Sequence, residues 1–485
     1  MESMEQEPLL GVKKSGQSHN KHPYSRSSIS DDFNETSVYS YCGSNYNIPR
    51  PDRRQALCDT TSTNNEEPLA PRKIHRPYFI FLVTIVNVAL LMYTCIAGGV
   101  EKIAFKPELQ NTSVNKFGYI GLNDSGHKQH IARYCGVNWF IGPNSSFLIQ
   151  TGAKFGPCMK KLEVVEKRIH NISKKEADYV CCSFNEECGM MKNTSCQGKV
   201  IDSGNCTSPK SPYCKRGVTL RPCCLGVHSQ CEVISEQYCS YMGGHWHKNQ
   251  TLCTPVNCLD GICGMSGVKN KASGKQWYRL ITAMFLHLGV IHLITNLIFQ
   301  IPVGILIERE IGSIRMALIY LISGIGGNLF CGLFDPLTPQ AGASGALFGI
   351  LALLIVKMVQ FGREVKRPCV EALMILGVAL ISFALGTLPY IGNFVHIGGF
   401  VFGVFASLVF LPRSNFRRIQ TMALYTCFKG VFAFLLAVLT FAFCFLFTFD
   451  KTSNFCSWCQ YLDCVPYTEH FCPNMNSDGY GNTGG

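Results

Sequence analysis

Charge is scarce in this sequence, and it is missing in blocks. Asp, Glu, Lys and Arg make up 16% of the 485 residues, and the stretches 78–97, 280–307, 316–334, 345–356, 372–388, 394–411 and 431–449 contain none of them. A membrane-spanning helix needs about 20 predominantly apolar residues. The uncharged blocks therefore predict an all-α polytopic membrane protein with seven spanning helices. The fourth block reaches spanning length only by starting near Gly342 and letting Lys357 snorkel at its end.

Other absences narrow the function. No stripe of Lys and Arg interleaved with aromatic residues is present, so the net charge of +12, which lies mainly in tails and loops, implies no nucleic-acid partner. No HExxH string occurs, which removes the sequence signature of a zinc protease. No cleavable signal peptide precedes the first apolar block. Polar residues 1–76 lie ahead of it, so it is expected to act as its own signal and remain as an anchor.

Lys and Arg are also missing from the short connections 335–341 and 389–393, whereas Arg72, Lys73 and Arg76, then Arg309 and Arg315, then Arg363, Lys366 and Arg367, then Arg413, Arg417 and Arg418 flank the opposite helix ends. By the positive-inside rule the N-terminus is cytosolic and the C-terminus, after seven spans, extracytoplasmic. The segment after the first span agrees with that orientation. It carries N-x-S/T sequons at Asn111, Asn123, Asn144, Asn171, Asn193, Asn205 and Asn249, against one elsewhere at Asn34, and it holds 15 of the 26 cysteines. The C-terminal tail adds Cys456, Cys459, Cys464 and Cys472. In an oxidising compartment these are expected to form disulfides, although Cys456-x-x-Cys459 also has zinc-ligand spacing. Nineteen is odd, so at least one outer cysteine is free, bonded to another chain, or bonded to a membrane-proximal thiol such as Cys331. Pairing is not readable from sequence.

The expected organisation is a disordered cytosolic tail at 1–76, a first transmembrane helix at 77–99, a glycosylated cysteine-rich extracytoplasmic domain at 100–275, a core of helices 2–6 at 276–412, a cytosolic loop and seventh helix at 413–449, and an extracytoplasmic tail at 450–485. The compartment is the endoplasmic reticulum, Golgi or plasma membrane. In the N-terminal tail, Arg26-Ser27-Ser28-Ile29-Ser30 is a candidate phosphorylation site for a phospho-dependent cytosolic partner, and Glu5 to Leu10 has the form of an acidic dileucine sorting signal.

Polar groups inside the apolar blocks are the functional candidates, because such groups are costly at membrane depth. Ser344 lies in GASGALFG and His396 in HIGGFVFG; His287, His292 and Asn296 lie on the second block. His292 and Asn296 are four apart and share a helix face. All enter from the outer side, where a cavity can supply water. Gly342 and Gly345 flank Ser344, and Gly399 and Gly403 follow His396 on one stripe, so the helices bearing the two groups can approach closely. The chemistry that follows is a dyad. His396 accepts the Ser344 proton, Ser344 attacks a carbonyl, and His292, Asn296 and the Ser344 backbone N–H hold the oxyanion. No carboxylate partner for His396 is evident, since Asp335 is in an outer loop and Glu308 and Glu310 are cytosolic.

These residues resemble the rhomboid intramembrane serine proteases: GASG around Ser344, H-x-x-G-x-x-x-G from His396, and H-x(4)-H-x(3)-N from His287 to Asn296. The resemblance covers roughly 276–412 plus the first span. It implies a six-helix core, here with a seventh helix as in the secretory-pathway class, cleavage of single-pass proteins in or near their transmembrane segments, and no metal or organic cofactor. It also implies supporting roles for His287, Gly342, Gly345, Phe348, Gly399, Gly403, Trp277 and Arg279. Phe348 stands where active members commonly have Tyr.

A second resemblance is to the inactive rhomboids, pseudoproteases that govern trafficking and stability of membrane clients. It rests on the cysteine-rich segment, the long tail and Gln276-Trp277-Tyr278-Arg279-Leu280, in which Tyr278 separates Trp and Arg. Inactive members have a proline within the GxSG equivalent and lack its serine, whereas Ala343 and Ser344 stand in those places here. The expectation is an active serine protease with the architecture of the pseudoprotease branch; the alternative is a catalytically silent adaptor.

Overall fold

The computed structural model describes residues 74–465 except 104–107, 113–115, 118–130, 136–137, 139, 203–205, 207–212, 229, 265–274, 362–366, 389–390, 413–421 and 451–457. The tail motifs and the sequons at Asn34, Asn123 and Asn205 lie outside the described residues.

Helix α1 (Tyr78–Gly98) leads into a cysteine-rich domain. The domain contains β1 (Glu108–Thr112), β2 (Ile131–Cys135), α2 (Ser145–Thr151), α3 (Gly156–Met159), α4 (Glu163–Glu176), β3 (Tyr179–Phe184), β4 (Glu187–Lys192), β5 (Lys199–Asp202), β6 (Gly217–Leu225), β7 (Gln230–Ser235), α5 (Glu236–Tyr241), β8 (His245–Trp246) and α6 (Cys258–Cys263). The helical bundle then runs through α7 (Arg279–Thr282), α8 (Val290–Ile311), α9 (Ser313–Phe334), α10 (Ser344–Phe361), α11 (Pro368–Leu385), α12 (Asn393–Phe410) and α13 (Met422–Phe449), and α14 (Gln460–Asp463) lies in the tail.

The uncharged blocks become helices because a bilayer offers backbone amides no other partner. Helices α1, α8, α9, α11, α12 and α13 are long and apolar enough to cross a membrane; the apolar part of α10, Ser344–Gln360, is shorter. The second block breaks earlier than its composition suggests. Gly289 is extended, and the N–H groups of Val290 and Ile291 donate to the carbonyls of Ile141 and Phe140, each at 3.1 Å. The cysteine-rich domain thus caps α8, and His287 is left in the preceding loop instead of on the helix. At the other end of α8, buried Glu308 accepts the N–H groups of Phe79 and Ile80, both at 2.8 Å, which places a carboxylate at the start of α1.

Helices α9, α10 and α12 form the centre of the bundle around Ile319, Tyr320, Ala346, Ile350, Leu353 and Ala406. Helix α11 stands outside them and exposes Leu373, Met374, Leu380 and Ile381.

The cysteine-rich domain is built on a sheet of order β5-β3-β4-β6-β7, with β8 also on β6, antiparallel except for β4 against β6. The sequence showed no sustained alternation there, because disulfides rather than a large apolar face hold it. The pairs are Cys158–Cys263, Cys181–Cys206, Cys182–Cys196, Cys188–Cys214, Cys223–Cys239, Cys224–Cys258 and Cys231–Cys253. Cys459 and Cys464 of the tail are also disulfide-bonded. Cys331 is not the odd partner. It is a free, buried thiol with Lys154 Nζ at 3.2 Å from its sulfur.

Candidate functional site

Ser344 opens α10 at the end of the 335–343 connection, which is sewn to its surroundings from both sides. Lys154 and Gln340 exchange backbone hydrogen bonds of 2.8 and 2.9 Å, and Gly342 N–H donates to the carbonyl of Ala283 at 2.9 Å. The Ser344 backbone is therefore fixed by the cysteine-rich domain and by the turn after α7.

His396 lies in the first turn of α12, buried at 7% exposure. Its ring stacks on Phe348, one turn after Ser344 on α10, with centroids 4.2 Å apart and planes 9° from parallel. Close backbone approach makes this stack reachable. A Cβ on Gly403 would lie 2.5 Å from the Cα of Gly349, and one on Gly399 would collide with the carbonyl oxygen of Gly345. Glycines at these positions let α10 and α12 touch along the stripe that carries the imidazole. Among the described residues His396 Nδ1 is buried without a hydrogen-bond partner, carboxylate or other. Among the described residues no hydrogen bond joins Ser344 Oγ to His396.

Ser344, Phe348 and Asn296 line one cavity of about 140 Å³ with Thr295, Phe299, Leu347, Leu351 and two residues of α11, Val378 and Ser382. That volume holds several waters at about 30 Å³ each. Asn296 Nδ2 is buried with no partner, an unused donor on the helix that faces Ser344 across this space. His292, one turn earlier, approaches Gly342 so closely that a Cβ there would lie 2.7 Å from His292 Cε1. His287 is fully buried and packs edge-on against His292 with centroids 5.4 Å apart. The geometry offers a hydroxyl, an unpaired amide donor, a shelved imidazole and room for water. The compact sulfur clusters of the cysteine-rich domain, Cys181/Cys188/Cys214 and Cys224/Cys231/Cys258, are all disulfide-bonded and offer no thiolate.

Trp277 and Arg279 support a different place. Trp277 packs edge-on against Phe447 of α13 at 5.0 Å. Arg279 is fully buried and donates to Gln276 Oε1 at 2.7 Å and to the carbonyls of Ile149, Ala153 and Cys263 at 2.5, 2.8 and 3.0 Å. It clamps the cysteine-rich domain to the bundle. Sequence reasoning missed Val378 and Ser382, whose block carries no polar pattern that singles them out.

Comparison with known proteins agrees with this architecture. A family model for the rhomboid domain matches residues 274–413. Inactive rhomboid protein 1 of Danio rerio is 30% identical over 84% of this chain and 53% of its own length; that of Bos taurus is 31% identical over 83% and 53%. Inactive rhomboid protein 2 of Homo sapiens is 28% identical over 83% and 53%. The chain spans about half the length of the curated relatives it matches. Their names run against the expectation of proteolysis and with the adaptor alternative, while the rhomboid domain and the multi-span, disulfide-bonded architecture agree with the sequence. The chain carries a rhomboid domain at residues 274–413.

Proposed function

We propose that this protein is an intramembrane serine protease that cuts single-pass membrane proteins within or near their transmembrane segments. The observation that carries this reading is that Ser344 and the unpaired donor of Asn296 line the same cavity, while His396 stacks on Phe348 of the helix that Ser344 opens. Ser344 Oγ attacks the scissile carbonyl and gives its proton to His396, which passes it to the leaving amine as the C–N bond breaks; water from the cavity then attacks the acyl-enzyme, gives a proton to His396, and the released Ser344 oxygen takes that proton back. Asn296, His292 and the Ser344 backbone N–H stabilise the oxyanion. The missing Ser344–His396 hydrogen bond is compatible with this, because catalytic contacts often tighten only once substrate is bound. What supports the reading beside relatives near 30% identical is that residue 344 of this chain is a serine. The reading places the N-terminus in the cytosol and the site on the extracytoplasmic side of a secretory-pathway membrane.

The second reading is an adaptor that binds transmembrane clients and controls their trafficking or stability without cutting them. The names of the relatives favour it. Co-expression with tagged single-pass reporters separates the two. Proteolysis requires a fragment with the wild type and none with Ser344→Ala. Equal fragment from both, or none from either on several reporters, leaves the adaptor reading.

A further inference from the structure

Helix α12 carries His396 in its first turn, yet its own sequence supplies no cap: the residue before it is Gly392, and no side chain from that position bonds to the helix. The cap comes from 70 residues away. Asp463 Oδ1 in α14 accepts the N–H of Asn393 at 2.7 Å, and the carbonyl of Leu462 accepts Asn393 Nδ2 at 2.7 Å. Val465 N–H donates to the carbonyl of Thr387, just past the end of α11, at 3.2 Å. Cys459 is buried in an apolar cluster with Cys331, Phe394 and Val395. The tail thus grips the start of the histidine helix and the end of the helix that lines the cavity.

The ionisable groups facing Asp463 come from three other elements. Asp335 lies in the connection between α9 and α10, with Oδ1 accepting from Thr338 N and Oγ1 and Oδ2 buried without a partner. Lys154, fully buried, comes from the cysteine-rich domain and donates to the carbonyls of Asp335 at 2.7 Å and Thr338 at 3.1 Å. Cys331 comes from α9. From α12 itself Asp463 meets the backbone N–H groups of Asn393 and Phe394.

We propose that the C-terminal tail is a positioning element of the site: Asp463 caps α12 and fixes His396 opposite Ser344. The proposal rests on the proteolytic reading for its consequence, not for the latch itself. Burial first, and then the negative charge of Asp335, push the Asp463 carboxyl up to about 7, against the opposing pull of the two N–H groups and Lys154. A tail free in water has an ordinary aspartate value of 3.8. The docked tail therefore keeps a proton that the free tail gives up, so docking is strengthened as pH falls through about 7 and weakened above it. A protonated carboxyl still offers an acceptor oxygen to Asn393. Asparagine at 463 keeps that acceptor and cannot ionise.

The test uses the full-length protein in lipid nanodiscs at pH 5.5 and pH 8, at about 25 °C, with intrinsic exchange rates corrected. Hydrogen exchange of the 391–396 amides reports the latch, β6 amides report global folding, and fluorophosphonate labelling of Ser344 reports the site. In the wild type, 391–396 should be better protected at pH 5.5 than at pH 8. Asp463→Asn should be protected at both. Asp463→Ala should exchange roughly fivefold to thirtyfold faster, as expected for loss of one cap, with β6 unchanged and Ser344 labelling reduced. Equal protection of 391–396 in all three forms at both pH values overturns the proposal. Protection that follows the expected pattern while no form takes label upholds the latch and sinks the proteolytic reading instead.

Discussion

The Cα of Gly349 on α10 lies where a side chain on Gly403 of α12 would begin: a Cβ there would stand 2.5 Å away. Real carbon atoms do not approach that closely, so Gly403→Ala must push the helices apart. Overpacking of this kind costs about 1–3 kcal/mol, and the displacement also separates His396 from the helix of Ser344. Gly403→Ala should reduce reporter cleavage at least about tenfold and lower the melting temperature. Gly430→Ala on α13, where nothing lies within 4 Å of the added carbon, should change neither.

Asn296→Ala removes the unpaired donor that shares the cavity with Ser344. One oxyanion donor is worth about 3 kcal/mol, or on the order of a hundredfold in rate. Cleavage should fall by that order with the melting temperature unchanged or raised, since an unsatisfied buried amide has been deleted. A parallel loss of rate and stability would show that Asn296 is structural.

The parts of this molecule that sequence could reveal are those written locally. The seven uncharged blocks became helices because a helix satisfies its backbone amides within one segment, and Ser344, His292, Asn296 and His396 stood out as polar residues inside them. What could not be read depends on distant partners. Arg279 looked like a companion of the site, but its guanidinium reaches carbonyls 126 and 130 residues earlier. His287 looked helical until the Phe140 and Ile141 carbonyls set the start of α8 at Val290. The sheet of the cysteine-rich domain left no alternating pattern, because its strands are held by sulfur instead of a continuous apolar face. Lys154 and Asp463 sit in no local pattern that marks them as partners of the bundle.

Arg279→Ala takes one donor from each of three main-chain carbonyls and from Gln276 Oε1 in a buried junction. A hydrogen bond from a charged donor is worth about 1.5–3 kcal/mol, and several are lost together. The full-length protein should lose the junction before it loses the sheet: trypsin should cut between the cysteine-rich domain and α7 in the variant and leave the wild type intact. Arg279→Lys should rescue only in part, because an ammonium cannot span the same fork of acceptors.

The cysteine-rich domain should weaken in acid. Burial first, and then the neighbouring charge of Arg168, hold the His228 imidazole down to about 4 from its ordinary 6.5. The unfolded chain takes up a proton below about 6.5 that the folded domain refuses, so this contribution to stability is complete above 6.5 and is lost as pH falls toward 4. Thermal unfolding of the full-length protein at pH 7 and pH 5 should show a drop in the wild type that His228→Leu reduces. An identical drop in both would assign the acid sensitivity to other groups.

The central claim is that Ser344 is a nucleophile made reactive by His396, and mass spectrometry of the fluorophosphonate-treated protein tests it most directly. The account predicts a phosphonylated peptide at Ser344 in the wild type, lost in His396→Ala and retained in Gly430→Ala. No adduct at Ser344, or an adduct that forms equally well without the His396 imidazole, would contradict it.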